Sequence, residues 1–211
     1  DGYWWDIGVM EQYVALSLLR FSQQGLQIPS VLRGDSSKLK APSFDQTSKS
    51  IAKDDVTVVI PTLNEAEAIS KVIEEVRTEG YRNILVVDGG STDGTADIAS
   101  EMGVEVLLQH GVGKAGAVKT AMERVNTPYT VFIDGDCTYD PKDIGKLLNH
   151  VERYAHVIGA RDWNDMNYLH RLGNWIISQL FGVLFEVKVT DVCSGMYLLE
   201  TRKARKYSLE E

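Results

Sequence analysis

Two carboxylates with a single glycine between them, Asp134-Gly135-Asp136, follow an apolar run from Val131 to Ile133. The run reads as the end of a buried strand, and strand side chains at i and i+2 can point the same way. Paired hard oxygen ligands at a strand's C-terminal end suit a Mg²⁺ or Mn²⁺ ion that also holds a diphosphate. Alone, the triplet is weak evidence, because two acids beside a glycine usually form a solvated turn, but two upstream segments add weight. In residues 57–69, TVVIPTLNEAEAI, a β-branched run ends at Pro61, and Leu63, Asn64 and Glu65 lead into a helical pattern. In residues 83–99, NILVVDGGSTDGTADIA, a second apolar run ends in Asp88, then a Gly/Ser/Thr turn, then a helix start. Three strand ends thus carry polar residues at one expected edge of a sheet, where open α/β sheets bind ligands.

The elements that would position these residues alternate. Strands are expected at 56–60, 84–87, 104–108, 129–133 and 156–159, with helices at 65–78, 94–101, 115–125 and 142–154. Pro141 suits the first position of a helix. Strand alternating with helix predicts an α/β domain, its sheet mostly parallel and covered by helices on both faces. An amphipathic helix near 167–185 and strands near 187–191 and 195–200 complete the pattern. Residues 54–211 are expected to form this domain. Residues 27–53, polar with Pro29, Pro42 and Gly34, read as a linker. The chain lacks an initiating Met and ends in a helical run at Glu210-Glu211, which predicts a C-terminally truncated piece of a longer protein.

Together the order PTLNE, VDGGSTDGT and strand-DGD resembles a family-2 glycosyltransferase of the GT-A fold. The stretch 158–195, IGARDWNDMNYLHRLGN through VTDVCSG, is similar to the dolichol-phosphate mannose synthase-like branch. One departure stands out: the family usually has Asp-Asp-Gly-Ser where this chain has Asp88-Gly89-Gly90-Ser91. The resemblance implies metal-dependent, inverting transfer of a sugar from a nucleotide-diphosphate donor, GDP- or UDP-linked, to a polyprenyl (dolichyl-type) phosphate. It implies a donor side built from Pro61, Leu63, Glu65, Asp88, Lys114, Asp134, Gly135 and Asp136, the last also with Asp134 on the metal. Arg161, at the end of a strand, and Arg171 are implied on the acceptor phosphate, since a guanidinium holds phosphate bidentately. Asp191 is implied on the acceptor side, and Asp136, Arg161 and Asp191 are the catalytic candidates. Residues 1–26 resemble the C-terminal end of a sugar-1-phosphate nucleotidyltransferase, in which Asp6 would match a metal-binding aspartate.

Each residue also has a plainer reading. Asp88 can be a turn-former that bonds nearby amides. Pro61 can simply stop a strand, Glu65 begin a helix, Asp191 cap a strand end, and Lys114 and Arg171 face solvent. A rival function also stands. Gly111-Val112-Gly113-Lys114-Ala115-Gly116 fits the G-x-G-x-x-G of an NAD-type binding module, between an apparent strand and helix. A family-2 transferase acting on a sugar or protein hydroxyl is a further alternative, with Asp191 as its base.

Composition narrows the partners. The 211 residues carry a net charge of −8, which excludes nucleic acid as an expected partner. The two cysteines, Cys137 and Cys193, have no metal-like spacing and predict reduced thiols in the cytoplasm. The longest apolar stretch, NWIISQLFGVLF at 174–185, is interrupted by Gln179 and Gly182 and is too short to span a bilayer. With Trp175, Phe181 and Phe185 it permits interfacial docking. Peripheral attachment to the cytoplasmic face of a membrane is the expectation.

Overall fold

A computed structural model describes residues 51–151, 156–159, 173–179 and 194–208. Residues 1–26 with Asp6, most of the expected linker, Arg161, Arg171, Asp191 and the strand near 187–191 lie outside them.

The chain is built around β1, Val56–Thr62, whose residues are all buried except the partly exposed Pro61. It pairs in parallel with β2, Asn83–Asp88, and with β4, Tyr129–Phe132. Parallel β3, Glu105–Leu108, lies outside β2. On the far side of β4, β6, Tyr197–Glu200, runs antiparallel and pairs in turn with β5, His156–Ile158. The order is β3-β2-β1-β4-β6-β5, a mostly parallel six-stranded sheet. The chain winds outward from β1 to β3 and then restarts on the other side of β1, so the strand order reverses between β1 and β4, where open α/β sheets form a ligand-binding crevice.

Period-two side chains divide the interior into two layers. Val56, Val58, Ile60, Ile84, Val86, Val131 and Ile133 face one side. There they meet α1, Ile69–Thr78, through Ile69, Val72, Ile73 and Val76, whose spacing is that of one helical face. Ala99 of α2, Thr95–Glu101, and Ile144 and Leu147 of α4, Ile144–Leu148, close the same layer. Val59, Leu85, Val87 and Phe132 face the other side, against Ala117, Val118, Ala121 and Met122 of α3, Gly113–Arg124. Fully buried aliphatic side chains contribute about 1.5–3 kcal/mol each. A helical segment at 173–179, α5, and the helix α6, Thr201–Ser208, complete the described elements. Arg205 of α6 donates from Nε to the Met122 carbonyl at 3.0 Å, tying α6 to α3.

Several boundaries differ from the sequence-based expectation. β1 runs through Pro61 to Thr62 instead of stopping at Pro61. The Val59 carbonyl accepts from Ile133 N–H at 3.0 Å and the Thr62 carbonyl accepts from Gly89 N–H at 2.8 Å. Odd positions of β1 therefore face β4 and even ones β2, so the nitrogen of Pro61 faces the side where β4 has already ended and no donor is needed. The helix expected from 65 begins only at Ile69, because the preceding backbone is bonded elsewhere. The helix expected over 142–154 is a 3₁₀ turn at Pro141–Asp143 followed by α4 to Leu148. His150 N–H then returns to the Leu147 carbonyl at 3.0 Å, an i to i−3 bond that tightens the last turn.

Candidate active site

The C-terminal ends of β1, β2 and β4 converge on one edge of the sheet. The loop after β1 is stitched to the loop after β2. Asn64 takes a left-handed backbone, φ 59°, which Asn tolerates better than most residues. Its N–H donates to Ser91 Oγ at 2.9 Å, and its Oδ1 accepts from Thr92 N–H at 2.9 Å. Glu65 N–H donates to Thr95 Oγ1 at 2.8 Å and Ala66 N–H to Asp93 Oδ2 at 3.0 Å. These bonds draw the backbone of 64–66 toward the β2 loop and delay α1.

Asp88 ends β2 almost fully buried, at 4% exposure. Its Oδ2 accepts from the N–H groups of Gly90 and Ser91, both at 2.9 Å, and its Oδ1 from Ser91 Oγ at 2.5 Å. The carboxylate thus organises the GGS turn from within, as an Asx-type turn does.

The DGD segment follows β4. A methyl group on Gly135 would lie 2.9 Å from Thr62 Cγ2, so any larger residue would force the loop or Thr62 to shift from the end of β1. Asp134, partly buried, receives Lys114 Nζ at 3.0 Å from each of its oxygens. Asp136, exposed, accepts at Oδ1 from Thr138 N–H at 2.9 Å. Cys137 next to it has φ 61°, a sharp left-handed bend that ends the segment. Burial, and after it the charges of Asp136, Asp134 and Asp93, push the Glu65 carboxyl above its ordinary value near 4.5. Glu65 therefore lies in the field of both DGD carboxylates. Leu63, 42% exposed, sits above Gly89, whose added methyl would be 3.5 Å from Leu63 Cδ1.

The glycine-rich run before α3 meets the DGD segment through its lysine. It follows β3, the edge strand, and it delivers Lys114 to Asp134. Glu65, Lys114, Asp134 and Asp136 are thus brought together, with Pro61, Leu63 and Asp88 on the neighbouring strand ends. Arg161, Arg171 and Asp191 lie outside the described residues.

The sequence reading missed two residues at this edge. Gly195 packs so closely on Asp134 that a methyl group there would overlap the carboxylate. Gly195 N–H donates to the Tyr139 hydroxyl at 2.6 Å. Nothing local in either residue signals this contact, since it joins the loop after β4 to the segment before β6. The Asn64, Asp93 and Thr95 bonds were more accessible, because a Gly/Ser/Thr/Asp-dense run between strand and helix marks a side-chain-bonded turn.

In chemical terms the edge offers carboxylate oxygens and the Lys114 ammonium at the point between β1 and β4 where the strand order reverses, the place where open α/β sheets bind ligands. Among the described residues no group of three or more His, Cys, Asp or Glu is arranged to hold a metal ion. Two carboxylates nevertheless fit Mg²⁺ or Mn²⁺ when the remaining ligands are phosphates and water.

AglJ, a glycosyltransferase of Haloferax volcanii, is 43% identical to this chain over 157 residues, which is 72% of this chain and 52% of AglJ. A dolichyl-phosphate hexose transferase of the same organism is 34% identical over 149 residues, 68% of this chain and 65% of that protein. This chain spans about half the length of AglJ. Among solved structures, glucosyl-3-phosphoglycerate synthase from Mycobacterium tuberculosis, in complex with Mn²⁺, UDP and glucosyl-3-phosphoglycerate, superposes with a TM-score of 0.56 at 23% identity. That superposition covers 70% of this chain and 57% of the synthase, a likeness of fold. The six-stranded sheet is thus that of GT-A glycosyltransferases, and the family model for glycosyl transferase family 2 matches residues 57–205, so the chain belongs to glycosyl transferase family 2.

Proposed function

We propose that the chain is a metal-dependent transferase that moves a sugar from a nucleotide diphosphate to a polyprenyl phosphate. The observation that carries the donor half is the meeting of Asp134, Asp136, Glu65 and Lys114 at the β1/β4 crevice. Asp134 and Asp136 would hold Mg²⁺ or Mn²⁺, which supplies positive charge to the leaving diphosphate. Lys114 adds a mobile ammonium on the same side, suited to phosphate oxygens. Pro61, Leu63, Glu65 and Asp88 would border the nucleoside: Leu63 presents apolar surface, and the Asp88-organised turn fixes the loop beside it.

The acceptor half draws support from two sources. One relative is named a dolichyl-phosphate hexose transferase. The other is α5, where Asn174 and Ser178 are buried while Trp175 and Ile176 are 49% and 43% exposed. A helix that turns the large apolar side chains Trp175 and Ile176 outward suits the boundary of a lipid surface. Among the described residues no helix is long and apolar enough to cross a membrane. Peripheral contact at the cytoplasmic face is the arrangement we propose.

A lipid phosphate monoester needs no strong base, because its second pKa is about 6. Its oxygen attacks the anomeric carbon as the bond to the diphosphate breaks, inverting that centre. Arg161 and Arg171 would orient the acceptor phosphate for in-line attack, and Asp191 would line its approach.

The test uses the whole chain with radiolabelled UDP- and GDP-sugars, Mn²⁺ and dolichyl phosphate in vesicles. An organic-soluble, mild-acid-labile product is expected. Label found only in water-soluble oligosaccharide or in protein rejects the lipid phosphate as acceptor.

A further inference from the structure

Asp134 is held from two sides, and only one of them can yield. On one side lies the Gly195 backbone, with no room even for a methyl group. That backbone is fixed by Tyr139 and by the neighbouring Ser194 hydroxyl, which donates to the Gly159 carbonyl. On the other side the Lys114 ammonium lies 3.0 Å from both oxygens of the carboxylate. Lys114 stands in the first turn of α3 on a flexible four-carbon stem, 45% exposed. It therefore occupies the carboxylate that a divalent cation would need, and the two positive charges repel each other. A nucleoside diphosphate entering the crevice offers the ammonium new negative oxygens. Lys114 can then leave Asp134 without losing a charge partner.

We propose that Lys114 is the resident counter-cation of Asp134, and that a divalent ion gains this carboxylate only when a nucleoside diphosphate draws Lys114 away. The inference rests on the nucleotide-sugar reading above. Lys114 is in this respect a positioning residue, because it decides when Asp134 is free. Metal and nucleotide are then positively coupled, and the coupling is reciprocal. Metal alone binds poorly, nucleotide alone meets an acidic edge, and the pair binds well.

The experiment titrates Mn²⁺ into the whole chain by calorimetry and by the loss of the free Mn²⁺ electron-resonance signal. It is run without nucleotide, with UDP and with GDP. In the unsubstituted protein, nucleotide should tighten Mn²⁺ binding by roughly tenfold or more, within the usual range of coupling. Lys114→Met should bind Mn²⁺ alone roughly tenfold tighter than the unsubstituted protein, with the nucleotide effect shrinking toward none. Lys114→Arg, which keeps the charge, should stay near the original metal affinity. The inference is overturned if Lys114→Met, with an unchanged Tm, binds Mn²⁺ alone no tighter, or if nucleotide leaves Mn²⁺ affinity unchanged in the original protein. Retained nucleotide binding with a metal affinity indifferent to Lys114 sinks this inference alone. Absence of UDP and GDP binding under every metal condition sinks the nucleotide-sugar reading and this inference with it.

Discussion

At the scale of single residues, the site is a balance of negative charge against one lysine. Glu65 shows the cost of that balance. Its carboxyl is raised above 4.5 by burial and by Asp136, Asp134 and Asp93. A carboxyl with a raised folded-state value holds its proton more tightly in the folded chain than in the unfolded one. Folding is thus favoured below the ordinary value, and that advantage is lost as pH rises through the raised one. Glu65→Gln should therefore have a higher Tm than the original protein at pH 7, with the gap closing as pH falls below about 4, where both carry no charge at this position. A gap independent of pH would show that Glu65 ionises without strain. Asp88 predicts the opposite sign. Asp88→Ala leaves the Gly90 and Ser91 N–H groups and the Ser91 hydroxyl without their acceptor. A loss of about 1–3 kcal/mol in chemical denaturation is expected, together with weaker nucleotide binding through the loosened turn. Asp134 and Asp136 stood out in the sequence by type and spacing, whereas Lys114 came from the family resemblance and its bond to Asp134 was not foreseen. Gly195 was not legible, because its role is to leave room for an atom 61 positions away in the chain, Asp134.

At the scale of elements, the strand and helix order was legible from period and punctuation, while the ends were decided by tertiary bonds. β1 outran Pro61 because its odd positions face a side where β4 has ended. α1 started late because Asn64, Glu65 and Ala66 are bonded to the β2 loop. Direction of pairing was also beyond the pattern: β6 is antiparallel, and its four residues, Tyr197 to Glu200, carry no sign of that. Gly135 tests how the two strand ends lock. Gly135→Ala brings a methyl group to 2.9 Å from Thr62 Cγ2. It should destabilise by about 1–3 kcal/mol, as overpacking does, and should weaken Mn²⁺-nucleotide binding by moving both aspartates. In α5 the amphipathic pattern was visible, but its orientation was not. With Asn174 and Ser178 inward and Trp175 and Ile176 outward, the double substitution Trp175→Ser, Ile176→Ser should leave Tm nearly unchanged. Co-sedimentation with phospholipid vesicles should fall. Equal sedimentation of both proteins would remove α5 from the membrane contact.

At the scale of the molecule, the question is which part of the chain makes the donor site. The described sheet draws its strands from 56 to 200, and the family match runs over 57–205. The entry into β1 is docked onto the same body. Ile51 packs against the first core layer, and Lys53 lies over the Tyr81 ring, 5.3 Å from its centroid. The Asp54 carbonyl accepts from Asn83 Nδ2 at 2.9 Å. Residues 51–53, read from composition as the end of a linker, thus contribute contacts to the transferase body. They should be kept in any shortened form. The groups brought together at the edge between β1 and β4, Glu65, Lys114, Asp134 and Asp136, all follow Ile51 in the chain. We therefore expect a chain beginning at Ile51 to bind UDP or GDP with Mn²⁺ as tightly as the whole chain and to melt in one cooperative step. A second chain, beginning at Val56, should lose Tm because it lacks the Ile51 packing and the Lys53 and Asp54 contacts, yet keep its nucleotide preference. Calorimetry and thermal melts of the three chains decide the matter. A loss of nucleotide affinity on removing residues 1–50 would mean that the N-terminal part completes the donor site, and the boundary drawn here would be wrong.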